Sequence, residues 1–404
     1  MDSSAQLYGS MKHINTIIIG GGISGITIAS ELAKLGIDYI IIEKDTVGGC
    51  IDTHHYQDIW FEMGGHTVYN SYAKTLDFIK ENSIDSFVQK RKKLPFLFVD
   101  EHSQIKSIFK NINLFSAAFN YIKNRNINKN HLSVSQYASK IFGKKNHNRT
   151  FKYCFDAVLS QDSSKFPMRY LFKKYPRDKS FPRSFTFTQG LSTFFKNSEK
   201  SNIVKDQVLS IKKTDNNIWN ITTKNSTYTA TNICIATPWN VTESLLKDIL
   251  PNISAHKNKP TMSKLLSVAI VIDKKSIDTL SDIAGLIGKE QFFYSVISRD
   301  VIKHDSLRSL VFHCKDVQST EQEILNKITR LLKIDKNDIL YITSKQNTLP
   351  CYNLNHDKFI SDLDFELSDY NNLYVAGNYI DRIAIENCIK RSVKEANRLK
   401  SDNS

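Results

Sequence analysis

The sequence has no apolar run long enough to cross a bilayer. Its most apolar stretch, the short Leu265–Ile272 region, falls far below the roughly 20 residues a spanning helix needs. Residues 1–15 lack the apolar core of a secretory signal; the first ten read as flexible leader, with Met11 an alternative start. Cysteine is sparse and scattered: Cys50, Cys154, Cys234, Cys314, Cys351 and Cys388 form no Cys-x-x-Cys pair. That spacing argues against a disulfide or zinc framework and for a reducing, cytoplasmic compartment. Triplets such as Asn148-Arg149-Thr150 are then chance matches to a glycosylation signal. His54, His55 and His313 are not grouped at ligand spacing, so no metal site is expected. There is no internal repeat, no low-complexity tract, no Ser-His-Asp set and no carboxylate pair placed for acid–base work.

Acidic residues are also in short supply. The 404 residues carry a net charge of +14, and positions 121–180 hold 14 Lys and Arg against 3 Asp and Glu. A second basic knot, Lys90-Arg91-Lys92-Lys93, precedes the apolar Leu94–Phe98. Such a face is either merely solvated or turned toward an anionic substrate or lipid. Nucleic acid is not expected, because no helix-turn-helix, zinc-finger or RRM signature accompanies the charge. With 41% hydrophobic and 24% charged residues the composition is ordinary for a globular chain, and the length suits two to three domains.

What is abundant is glycine in one place. Thr16–Ile19 is β-branched and apolar, as a buried parallel strand requires, and Gly20-x-Gly22-x-x-Gly25 follows at once. Ile26–Leu35 has helical periodicity and Gly36 stops it; Tyr39–Ile42 is a second strand closing on Glu43. This is the βαβ dinucleotide fingerprint. Gly20 permits the tight turn, Gly22 lets the main chain approach a pyrophosphate, and Gly25 lets helix and strand pack closely. The helix N-terminus offers free N–H groups to phosphate, and Glu43 can accept from a ribose hydroxyl. Gly48-Gly49 follows shortly after.

Further along, Val204–Ile211, Trp219–Thr223 and Tyr228–Ala236 read as short antiparallel strands. Leu373–Val375 closes on Ala376-Gly377-Asn378, and Glu386–Leu399 is helical. Taken in order, these motifs resemble the flavin amine oxidase and protoporphyrinogen oxidase superfamily, nearest its oxygen-dependent protoporphyrinogen oxidase branch. The resemblance rests on the Gly-Gly pair, Gln189-Gly190-Leu191, Ile235–Pro238, Leu349-Pro350-Cys351-Tyr352 with Asn355-His356, and Gly377-Asn378 with Asn387-Cys388. Cys50 stands where the superfamily usually has Arg, and Asn355 where it has Gly.

The resemblance implies an α/β fold. A Rossmann-like FAD-binding domain of glutathione-reductase type would come from residues 14–80, 184–260 and 350–400, after a leader at 1–13. An inserted α+β substrate domain would come from 81–183, rich in helical periodicity, and 261–349, whose strands would roof the flavin. It implies non-covalent FAD, held by Gly20, Gly22, Ser24, Gly25, Glu43, Lys44, Gly48, Gly49, Gly64, Gly65, His66, Val208, Gly377 and Asn378. His66 and Tyr352 are the candidates nearest the ring. Gly64-Gly65-His66 also resembles the Gly-Pro-His of UDP-galactopyranose mutases. Cys351-Tyr352 resembles the pair through which monoamine oxidases tether flavin, but Asn387 replaces their second cage aromatic, which disfavours both a covalent link and an amine site. Phe292, Phe293 and Tyr294 are either cavity lining or core.

The expected activity is hydride transfer from an anionic or hydrophobic organic small molecule to flavin, with protoporphyrinogen as the leading case. The alternatives are an amine or biosynthetic-intermediate oxidase, a mutase-like flavin isomerase, and a flavin-bearing scaffold without turnover. Peripheral membrane contact through the basic segment stays open, and oligomeric state is not legible.

Overall fold

The computed structural model describes residues 12–198, 202–277 and 279–403. The expected leader lies outside the described residues except for Lys12 and His13, which already belong to the first strand, β1 (Lys12–Ile19). Helix α1 (Ile23–Lys34) and strand β2 (Tyr39–Glu43) complete the unit read from the sequence. β1 and β2 pair in parallel, Ile17 against Ile40 and Ile19 against Ile42, as two runs buried on both faces should.

β1 sits in the middle of a seven-stranded sheet. On one side lie β2 and Ile203–Lys205; on the other lie Thr227–Ile235, Trp219–Thr223 and Val208–Lys213, with Leu373–Val375 added to Thr227–Ile235. The expectation of uniformly antiparallel strands after residue 200 is corrected here. Ile203–Lys205 runs parallel to β2, and Thr227–Ile235 runs parallel to β1 while pairing antiparallel with Trp219–Thr223. Residues 206 and 207 break the expected single strand 204–211 into two.

A second seven-stranded sheet stands apart from the first. Its order is Ile339–Cys351, Thr261–Asp273, Leu307–Cys314, Phe293–Ser298, Gly285–Gly288, Phe96–Val99 and Ile105–Ser107. Helix Glu321–Leu332 covers it through Ile324, Ile328, Leu331 and Leu332. Residues 81–183 are less helical than their periodicity suggests. Short strands at Val88–Lys90, Phe96–Val99 and Ile105–Ser107 precede helices Leu114–Asn124, Val134–Phe142 and Lys152–Leu159. Phe96–Val99 takes its strand geometry from parallel pairing with Gly285–Gly288, a partner far away in sequence.

Candidate functional site

The loop between β1 and α1 is shaped by contacts that only glycine permits. Gly20 has φ +104°, and a Cβ there would meet the Ala236 carbonyl oxygen at 2.8 Å. A Cβ on Gly25 would lie 2.0 Å from the Gly20 oxygen, so the helix rests directly on the loop. Gly22 differs. Its backbone is extended and a Cβ would meet nothing nearer than the Gly48 oxygen at 3.9 Å. No side chain caps α1, and no acidic residue occupies its first turn, so the helix keeps unpaired N–H groups and a partial positive charge.

The second glycine pair docks on the first. Gly48 N–H donates to the Gly21 carbonyl at 3.0 Å, and Gly22 and Gly48 form a parallel bridge. Gly49, at φ +61°, faces open space with only the Gly22 Cα at 3.7 Å. Two bare positions, Gly22 and Gly49, therefore border one groove beside an uncapped helix end. Glu43 flanks it. Its carboxylate accepts from Gly21 N–H at 2.6 Å and from Asp45 N–H at 2.9 Å, leaving acceptor capacity on both oxygens. These donors, acceptors and open backbone fit a dinucleotide.

Three later segments carry the remaining candidates. Ser24 hydrogen-bonds the Cys388 thiol of the C-terminal helix. Gly64 packs on Cys50, and Gly65 N–H donates to the Cys50 carbonyl at 3.0 Å, which brings His66 to the groove's end. Tyr352 is buried, stacked on His356 with ring centroids 4.1 Å apart, and its hydroxyl donates to the Asn378 carbonyl. Burial raises the Tyr352 pKa well above the ordinary tyrosine value, so it stays a donor.

Beside His66 lies a small cavity lined by Trp60, Glu62, Arg91, Thr186 and Arg299. Burial lowers the pKa of both guanidinium groups, Arg299 to about 10; both remain cationic near neutral pH. Arg299 lies 3.8 Å over the Trp60 ring and donates to the Ile302 carbonyl at 2.9 Å, while its Nε and the Thr186 hydroxyl have no partner. Glu62 accepts from Leu191 N–H at 2.7 Å and from the Thr53 hydroxyl at 2.9 Å. Gly190, at φ +82°, makes that approach feasible, since a Cβ would strike Thr53 at 2.3 Å. Without an ion pair, burial pushes Glu62 up to about 8. Burial also takes His66 down to about 3, helped by Arg91. The cavity thus holds two cations, a neutral histidine and a largely protonated carboxyl group.

Comparison with known proteins agrees with this geometry. The model of the NAD(P)-binding Rossmann-like domain matches residues 18–81. Over 76 residues, 19% of this chain, the sequence is 28% identical to the "Probable flavin-containing monoamine oxidase A" of Dictyostelium discoideum, and over 39 residues, 9% of the chain, 51% identical to the FAD-dependent monooxygenase subE of Metarhizium robertsii. The aligned stretches span only 17% and 12% of those relatives. Whole-chain likeness is structural. The "Putative protoporphyrinogen oxidase" of Exiguobacterium sp. 255-15 superposes with a TM-score of 0.77 at 14% identity, covering 98% of this chain and 100% of that one. Putrescine oxidase bound to putrescine gives 0.71 at 12% identity, covering 96% and 99%. The chain shares the fold of these two solved structures.

In this fold the residues expected around the cofactor fall into two groups. Gly20, Gly22, Ser24 and Gly25 lie in the β1–α1 loop and the first turn of α1, Glu43 accepts from Gly21 in that loop, Gly48 and Gly49 dock on it, Gly64 and Gly65 pack on Cys50 with His66 next in the chain, and Tyr352 meets Asn378. Lys44 instead points outward, in an exposed pair with Asp45 at 3.5 Å. Val208 opens the strand just beyond Lys205, which pairs with Glu43 at the sheet's end. The final helix does not follow Asn378 directly. It begins at Ile385, and its first-turn Glu386 accepts from Lys74 and Thr75 N–H, tying it to helix Ala73–Glu81. Phe293 is core, packed on Phe312.

Sequence reasoning missed Glu62, Arg299, Thr186 and Lys345. Lys345 donates to the Gly49 carbonyl at 2.9 Å and to Asp52 at 2.8 Å, linking the second sheet to the glycine pair. A lone lysine in a strand gave no signal. Arg91 was visible only as part of a basic knot. Its neighbours Lys90, Lys92 and Lys93 are exposed while it turns inward.

The buried groups make opposite demands on pH. Glu62 binds its proton more tightly folded than unfolded. Its stabilisation is full below its ordinary pKa of 4.5 and is lost as pH rises through about 8. His66, His313 and His356 stay neutral when buried. Their stabilisation is full above 6.5 and is lost as pH falls toward about 4, or about 3 for His66. Glu62→Gln should flatten the alkaline limb of the thermal-stability profile and leave the acid limb unchanged. Parallel profiles for the variant and the native protein would show that Glu62 does not hold its proton.

Proposed function

We propose that this chain is a flavin-dependent oxidoreductase that holds FAD non-covalently and oxidises an organic substrate bearing carboxylate groups, with porphyrinogen oxidation as the specific case. The observation that carries the reading is the link from the glycine pair to the cavity containing Arg91 and Arg299: Gly65 N–H donates to the carbonyl of Cys50, next to Gly49, and the following residue, His66, lines the cavity. Bound FAD supplies the acceptor for hydride from a substrate carbon. The N–H groups of α1 and the bare backbone of Gly22 and Gly49 would hold its pyrophosphate, and Glu43 would accept from its ribose. Gly377-Asn378, fixed by the Tyr352 hydroxyl, would contribute to holding the flavin.

Arg91 and Arg299 draw in and orient a carboxylate. Glu62, protonated near neutral pH, adds no competing negative charge. The same cations repel an ammonium group, which weighs against an amine substrate. Asn387, hydrogen-bonded to Asp381 at 2.5 Å, adds no aromatic wall for one. Anaerobic bleaching of the flavin absorbance tests this: protoporphyrinogen should bleach it and putrescine should not. Arg91→Ala should raise KM for a carboxylate substrate about tenfold or more with a smaller change in kcat, as expected when uniform binding is removed. Bleaching by diamines alone would overturn the reading.

A second reading is favoured by His66 beside the two arginines, since a sugar nucleotide diphosphate would also suit paired cations. Turnover seen only after dithionite reduction, with no net oxidation, would select that isomerase.

A further inference from the structure

Helix Leu114–Asn124 is mounted with its polar side toward the protein. None of its residues is buried. Asn124 donates to the Lys140 carbonyl at 2.9 Å, and Asn120 and Ser116 pack against Gly143, where a Cβ would meet them at 3.0 and 3.1 Å. The inward face is therefore Ser116, Asn120 and Asn124, spaced four apart. The outward face carries Leu114, Phe115, Phe119 and Ile122, with exposures of 62, 92, 68 and 67%. Phe109, just upstream, is 72% exposed. Ordinary surface helices do the reverse, and clustered exposed apolar side chains of this size mark an interaction surface.

The charge around the patch says what it meets. From His102 to Phe155 the sequence has ten Lys and Arg and no Asp or Glu. Lys110, Lys123, Arg125, Lys140, Lys144 and Lys145 are all exposed. Among the described residues none of these six has an acidic partner in an ion pair. No described helix is long and apolar enough to cross a membrane. We propose that Leu114–Asn124 docks on the surface of an anionic phospholipid bilayer. Phe115, Phe119 and Ile122 enter the headgroup–acyl boundary and the basic rim engages lipid phosphates. An acidic protein would satisfy the cations but would not need four large apolar side chains projecting from one helix face.

Flotation of the full chain with vesicles tests this. It should bind phosphatidylcholine vesicles containing about 30% phosphatidylglycerol and bind pure phosphatidylcholine far less, because each basic residue near an anionic surface is worth about fivefold in affinity. Phe115→Ser with Phe119→Ser and Ile122→Ser should weaken binding about tenfold or more and leave the melting temperature unchanged, since these side chains touch no core. Lys144→Glu with Lys145→Glu should abolish the preference for the anionic lipid while keeping residual apolar binding. Absence of flotation on both compositions overturns the proposal. So does a concentration-dependent dimer, seen by sedimentation and removed by the serine variant, in a protein that ignores vesicles; the face would then be a self-interface.

Discussion

Gly22→Val should yield a folded protein that no longer retains flavin. Beyond its own chain neighbours the nearest atom to the valine Cβ would be the Gly48 oxygen at 3.9 Å, and the backbone there is extended, a conformation valine accepts readily. The Cβ therefore meets no clash, and the melting temperature of the flavin-free protein should stay within the small range of surface substitutions. On the proposed reading, the added side chain would occupy the space a pyrophosphate needs to reach the uncapped end of α1. Loss of those charge-assisted contacts should weaken FAD binding by about a hundredfold or more. Gly25→Val is the control that behaves differently: its Cβ would lie 2.0 Å from the Gly20 oxygen, so folding itself should suffer. Fluorescence titration with FAD, beside thermal melts of both apo variants, separates the two. A Gly22→Val protein that binds flavin as the native one does would remove the groove from the site.

The same glycine motif explains what was legible from sequence. β1, α1 and β2 are contiguous, and their packing is local, so the pattern Thr16–Glu43 specifies both structure and ligand-facing backbone. Tyr352 and Asn378 were legible as motifs, but not the hydroxyl-to-carbonyl contact that joins them. The cavity was not legible because its lining comes from segments around residues 60, 91, 186 and 299, brought together by pairings such as Phe96–Val99 with Gly285–Gly288. Arg91 shows the limit well. Composition placed it in a charged knot, and only the fold reveals that it turns inward while its neighbours stay in water. Helix Leu114–Asn124 shows a second limit: periodicity announces an amphipathic helix but not which face meets the protein.

Glu395→Ala should cost about 3–5 kcal/mol of stability, the range for breaking a buried ion pair by removing one partner. The Glu395 side chain is 2% exposed and is held at 2.9 Å by Arg391 and at 2.9 Å by Arg398. Both arginines also reach the sheet: Arg391 Nε donates to the Val375 carbonyl at 3.0 Å, and Arg398 to the carbonyls of Tyr370 and Leu373. Glu395 thereby fixes two clamps on the strand that ends at Gly377-Asn378. Removing it leaves Arg391, itself 6% exposed on its side chain, with Asp364 at 2.7 Å as its remaining carboxylate. The effect should reach the site, because a loosened Leu373–Val375 no longer holds Asn378 against Tyr352. FAD affinity should fall together with denaturation midpoint in Glu395→Ala, and fall less in Glu395→Gln, which keeps the shape and one acceptor. Denaturant unfolding monitored by tryptophan emission is a suitable probe because Trp219 donates to the Asn372 carbonyl beside this strand. Equal stabilities of the alanine variant and the native chain would mean that the arginines find other partners, and that Gly377-Asn378 is positioned by the sheet alone.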